Sequence, residues 1–148
     1  MQRALVDLLS EKTFGRITIQ DLVSQSSVGR STLYEHHYNK YDLVQEMIEE
    51  QATIFQKAVQ VRFANDVQDG FQPERLAQIV EALLPNRKAI VALYHLNVDE
   101  DSLERRYHQI IHEMVVQNQT IKKYAKNTQV SLEYLSDLYT NIALTQIM

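Results

Sequence analysis

The stretch SSVGRSTLYEHHYNKYDL, residues 26–43, gathers side chains that can touch a polyanion. Arg30 carries a planar fork that can grip a guanine edge at two points or bind a phosphate. Ser31 and Thr32 are short donors and acceptors that do not hold a helix away from bases. Gly29 lets the backbone come close just where the first N–H groups of a helix attract phosphate. Tyr34 and His36 can donate to phosphate, Lys40 adds a point charge at the start of the next helix, and Leu33 faces inward. The same residue types also make ordinary solvated surface, and Tyr34 would serve as a half-buried core ring. Spacing alone leaves both readings open.

A second set lies further along. His108 and His112 are four residues apart in HQIIH, a spacing that can hold a metal. HQIIH lacks the glutamate that a His-Glu-x-x-His zinc protease places between its histidines, so a surface or pocket histidine pair is the better reading, and no metal is assigned. Tyr94, His95, Tyr107 and His108 are candidates to line an interior and contact a small-molecule effector, alongside a plain packing role. DEDSLERRY, residues 99–107, reads as a solvated helix start whose acids favour the positive end of the helix dipole. No Ser-His-Asp order, glycine-rich phosphate loop or paired carboxylate cluster is present. The expectation is a protein that is not an enzyme and takes no cofactor.

The elements that must position these residues are helices. Ala4, Leu5, Leu8 and Leu9 mark one face of a first helix over residues 3–12, ending near Phe14-Gly15. Thr18 and Asp21 stand at capping-box spacing and open a short second helix whose inner face is Ile19, Leu22 and Val23. A short third helix spans residues 29–36. From residue 40 to about 64, Leu43, Val44, Met47, Ile48, Ala52, Phe55, Ala58, Val59 and Phe63 recur at three- and four-residue steps. ANDVQDGFQPE then breaks the pattern with Gly70 and Pro73. Segments follow near 73–84, 86–97 and 101–123, with a sharp boundary at Pro85-Asn86. A last helix starts at the N-cap Ser131 and keeps Leu132, Leu135, Leu138, Ile142 and Leu144 apolar. The pattern is cut in mid-course at Met148, so the spacing predicts an incomplete C-terminal domain.

Composition bounds the partners. With three Gly and two Pro in 148 residues, the chain has little punctuation for strands and turns, which favours an all-α fold. There is no cysteine, and neither a signal peptide nor a membrane span is readable, which fits a cytoplasmic protein with no membrane partner. Net charge is −4, and residues 1–50 hold five Lys/Arg against eight Asp/Glu. A binder driven by a broad field would be basic. Contact with nucleic acid therefore has to come from a small, well-aimed surface.

Two short helices joined by a tight turn and followed by a long one make a helix-turn-helix unit, whose second helix enters a major groove. TIQDLVSQSSVGRSTLYEHHYNKYDLV closely resembles the DNA-binding domain of TetR/AcrR-type transcriptional regulators: a capped helix two, a small-residue turn, a recognition helix ending in Thr-Leu-Tyr, and a lysine opening helix four. The resemblance runs from residue 4 to about 48. It implies a three-helix DNA-binding domain over residues 1–46 and a helical ligand-binding and dimerisation domain over 47–148. It also implies DNA contacts from Thr18, Arg30, Ser31, Thr32, Tyr34 and His36, with Lys40 on backbone phosphate. The expected function is a ligand-responsive repressor that binds a palindromic double-stranded operator as a homodimer. The alternative is a regulator or coactivator acting mainly through protein partners with a weakened DNA-binding head. Three departures bear on that alternative: Ser27 where the family has a turn glycine, His37 where it has a phenylalanine, and Glu35 near the phosphates.

Overall fold

A computed structural model of the chain describes residues 1–26, 39–69, 74–96, 98 and 101–145. Among them the fold is all-α. Helices α1 (Gln2–Glu11) and α2 (Ile19–Gln25) flank a 3-10 turn (Phe14–Arg16). Helix α3 (Lys40–Asp69) follows, then α4 (Glu74–Leu83), a second 3-10 turn (Leu84–Asn86), α5 (Arg87–Tyr94), α6 (Leu103–Gln117), α7 (Gln119–Thr128) and α8 (Leu132–Thr145). One isolated antiparallel bridge joins Val98 and Asp101. No described helix is long and apolar enough to cross a membrane.

Among the described residues the periodicities fold as their spacing dictates, with two differences at helix ends; the short helix expected over 29–36 lies outside those residues. Helix α3 runs to Asp69 rather than stopping near residue 64. Ala64 to Asp69 contain no helix breaker, and Gly70 is the first residue that strongly disfavours continuing. The segment expected over 101–123 is divided: Asn118 ends α6, and its side-chain Oδ1 accepts the Ile121 amide at 3.1 Å to cap α7. At residues 84–86 the chain turns as expected, because Pro85 removes an N–H from the helical ladder.

Helix α3 is the spine. Leu43, Val44, Met47, Ile48, Ala52, Phe55 and Val59 are all buried along one seam. Its first turns share a core with Leu5 and Leu8 of α1, Ile17 of the connecting stretch, and Leu22 of α2. This small N-terminal cluster is the head. Further along, α3 packs against α4 and α6, and α6 packs in turn against α8. Phe55 and Tyr107 stack there with ring centroids 4.0 Å apart and planes at 22°. Ile79, Leu83, Ile90, Leu93, Leu103, Ile111 and Val115 complete this body. Head and body meet through α3 itself and through the packing of α1 on α5.

Candidate nucleic-acid interface

Two capped helix starts bracket residues 27–38. At the first, the Asp21 amide donates to Thr18 Oγ1 at 3.1 Å, and the Thr18 amide donates back to Asp21 Oδ2 at 2.7 Å. This is the capping box read from the sequence. The Thr18 hydroxyl also donates to Asp21 Oδ2 at 2.8 Å. Its single hydrogen is therefore already engaged, and a phosphate could take it only by displacing Asp21. Lys12 lies 2.9 Å from Asp21, and this ammonium, with the Thr18 amide and hydroxyl, holds the carboxyl down at about 2. At the second start, Asn39 Oδ1 accepts the amides of Tyr41 (2.7 Å) and Asp42 (3.1 Å), while Asp42 Oδ2 accepts the Asn39 amide at 3.0 Å. Each box fixes where its helix begins.

Lys40 sits in the first turn of α3, and its ammonium does not point into open solvent. It donates to the carbonyl oxygens of Phe14 at 2.8 Å, Ile17 at 2.8 Å and, more loosely, Gly15 at 3.4 Å. Nζ also lies 4.6 Å from the centre of the Phe14 ring and 5.6 Å from that of Tyr41. Those rings meet edge to face, with centroids 5.2 Å apart and planes at 87°. The residue expected on a DNA phosphate is thus engaged inside the protein in this conformation. Gly29, Arg30, Ser31, Thr32, Tyr34 and His36 lie outside the described residues, as do Ser27, Glu35 and His37.

The four effector candidates separate into two pairs. Tyr94 and Tyr107 are buried in the body, their ring centroids 6.4 Å apart. Burial, with a smaller push from Glu104, raises the Tyr94 phenol to about 12, and burial likewise raises that of Tyr107. The Tyr107 hydroxyl has no hydrogen-bond partner among the described residues. His95 does not line that interior: its side chain is 72% exposed, with Nδ1 3.7 Å from Glu104. His108 lies on the α6–α8 side, 3.6 Å from Asp137, and His112 Nδ1 is 3.4 Å from the Ser136 hydroxyl. Among the described residues, no group of three His, Cys, Asp or Glu could hold a metal ion.

Within DEDSLERRY, residues 101–107 are described, and they are more built than a solvated turn. Ser102 is buried and caps α6 by accepting the Arg105 amide at 3.2 Å. Asp101 accepts from Gln45 Nε2 of α3 at 3.0 Å, from Arg106 Nε at 3.0 Å and from the Ser102 amide at 2.9 Å. Partial burial pushes its carboxyl up, but these donors outweigh burial and hold it below the ordinary value. Arg106 also reaches Glu49 of α3 at 3.4 Å. The signal available in the sequence was an Asp-Ser pair before an apolar helix, and it does not reveal the partners on α3.

The stripe on α8 splits. Leu135 and Leu144 point inward and are buried, while Leu138 and Ile142 are exposed. Leu135, Leu138 and Ile142, with Ile121, Tyr124 and Tyr139, border an apolar groove of about 430 Å³ between α7 and α8.

No known family model matches the chain, and no solved structure matches it. The chain is 42% identical over 50 residues to an uncharacterized HTH-type transcriptional regulator, YxbF, of Bacillus subtilis. The match covers 33% of this chain and 13% of that relative's length.

Proposed function

We propose that this chain is a DNA-binding transcription regulator of the TetR/AcrR type, which reads a palindromic operator as a homodimer and answers to a small-molecule effector, most simply as a repressor. The observation that carries this reading is the head itself. Helices α1 and α2 and the start of α3 share one apolar core around Leu5, Leu22 and Leu43, and two capping boxes bracket the segment that carries Arg30, Ser31 and Thr32. The similarity to an HTH-type regulator over 50 residues supports it. The exposed Leu138 and Ile142 beside Tyr124 support a two-fold helical interface. The buried Tyr94–Tyr107 pair supports an effector contact within the body. The reading through protein partners draws its support from the acidic balance of the chain and from the internal engagement of Thr18 and Lys40.

Selection from a random double-stranded library tests it. The chain is expected to enrich a two-fold symmetric sequence, and Arg30→Ala is expected to cost about 1–3 kcal/mol and relax preference at one base position per half-site. Failure to enrich any sequence would favour the protein-partner reading. Sedimentation over a concentration series tests the dimer, with Leu138→Lys expected to shift the chain towards monomer.

A further inference from the structure

We infer that Lys40 is a positioning residue, an internal fastener that makes the orientation of the head follow helix α3; this rests on the DNA-binding reading above only for its consequence on operator affinity. An ammonium has three hydrogens in tetrahedral array, and here three carbonyl oxygens of one turn receive them, two at 2.8 Å and one at 3.4 Å. Those carbonyls lie at and just past the 3-10 turn Phe14–Arg16; the Phe14 oxygen also accepts the Ile17 amide at 3.1 Å and offers the ammonium its second lone pair. The Phe14 and Tyr41 rings wall the ammonium, which strengthens its electrostatic contacts.

The placement turns this contact into a linkage. The Ile17 carbonyl belongs to the peptide bond with Thr18, the N-cap of α2. The contact therefore joins the first turn of α3 to the residue that sets where α2 starts. At its other end the same helix carries Phe55 and Val59 into the body core. Over its 30 residues α3 is about 45 Å long. A rotation or slide of α3 caused by repacking against Tyr107 would carry Nζ with it and pull on residues 14–18. A phosphate-binding role makes the opposite demand, because the ammonium must then give up at least one of these carbonyls to the phosphate.

Amide hydrogen exchange on the full chain decides the fastening without DNA. In Lys40→Met, which keeps the aliphatic stem and loses the donors, the amides of residues 13–22 are expected to exchange about tenfold faster or more, while those of α6 keep their wild-type rates. Lys40→Arg, which keeps cationic donors, is expected to recover part of the protection and is the variant of record if Lys40→Met does not fold. On an operator selected by the wild-type chain, Lys40→Met is expected to bind about tenfold more weakly with an unchanged salt dependence. Unaltered exchange over residues 13–22 would overturn the fastener. So would a salt slope shallower by about 0.9, the signature of one lost phosphate contact. A wild-type chain that selects no operator would sink the DNA-binding reading alone, since the exchange comparison stands without it.

Discussion

The two ends of helix α3 are held by different chemistry. At the head end, directional polar contacts are added to the apolar packing of Leu43 and Val44: the Asn39 cap, the Lys40 ammonium on three carbonyls, and Gln45 on Asp101. Thirteen or so residues further on, Phe55 and Val59 are fully buried, and the closest specific contact is the stack of Phe55 on Tyr107. Apolar packing is insensitive to direction and scales with area, whereas each polar contact depends on angle and can be lost singly. The difference leads to the expectation that a lost contact costs more global stability in the body and more local order in the head.

The sharpest way to break the comparison is to remove the stacked ring. Phe55→Ala should cost about 3–5 kcal/mol in a urea unfolding curve, a large fraction of a domain's typical total. A loss below about 1 kcal/mol would mean that the body is not the stability centre. A smaller effect of opposite sign is expected next to it. Tyr107→Phe deletes a buried hydroxyl that lacks a partner, and it should stabilise the chain by about 1 kcal/mol, raising Tm by about 2–4 °C. Destabilisation instead would reveal that the hydroxyl is satisfied in solution.

The smallest effect belongs to the head and depends on pH. Asp21 has a folded-state value of about 2 against an ordinary 3.8. Between those values the unfolded chain binds more protons than the folded one, so stability falls as pH falls. The contribution of this cap is thus whole above about pH 4 and is lost progressively towards pH 2. Carboxyl titration followed by NMR, with exchange at the α2 amides, should show that window. Asp21→Asn should abolish it while leaving exchange in α6 untouched.

Much of this was readable because it is local. Thr18 and Asp21 are three residues apart, and the Leu43-to-Val59 seam repeats at helical steps, so both are visible from a short window. What escaped reading is non-local or ambiguous by residue type. Lys40 reaches carbonyls 23 to 26 residues away, and Asp101 reaches Gln45 across 56 residues. Backbone carbonyls have no residue identity, so nothing in a sequence flags them as acceptors. Asn118 sits inside an apolar-periodic run and shows itself as a cap only once the chain bends there. His95 and His108 adjoin the tyrosines in sequence, yet the turn after Tyr94 sends His95 outward and His108 lies 3.6 Å from Asp137. The frame on either side of residues 27–38 was legible in advance, down to its cap at Thr18.

Because α3 is continuous from Lys40 through Phe55, head and body share one helical phase. Each residue inserted or deleted between those points would turn the head by about 100° about the helix axis and shift it by about 1.5 Å. Single-residue length changes there would turn the head sideways, breaking the packing of α1 on α5 and taking the buried seam of α3 out of register. A seven-residue insertion would bring the head back to within about 20° of its starting angle, roughly 10 Å further out. In the two-fold dimer proposed above, that displacement would alter the spacing between half-sites, which would make the length of this stretch a ruler for the proposed operator.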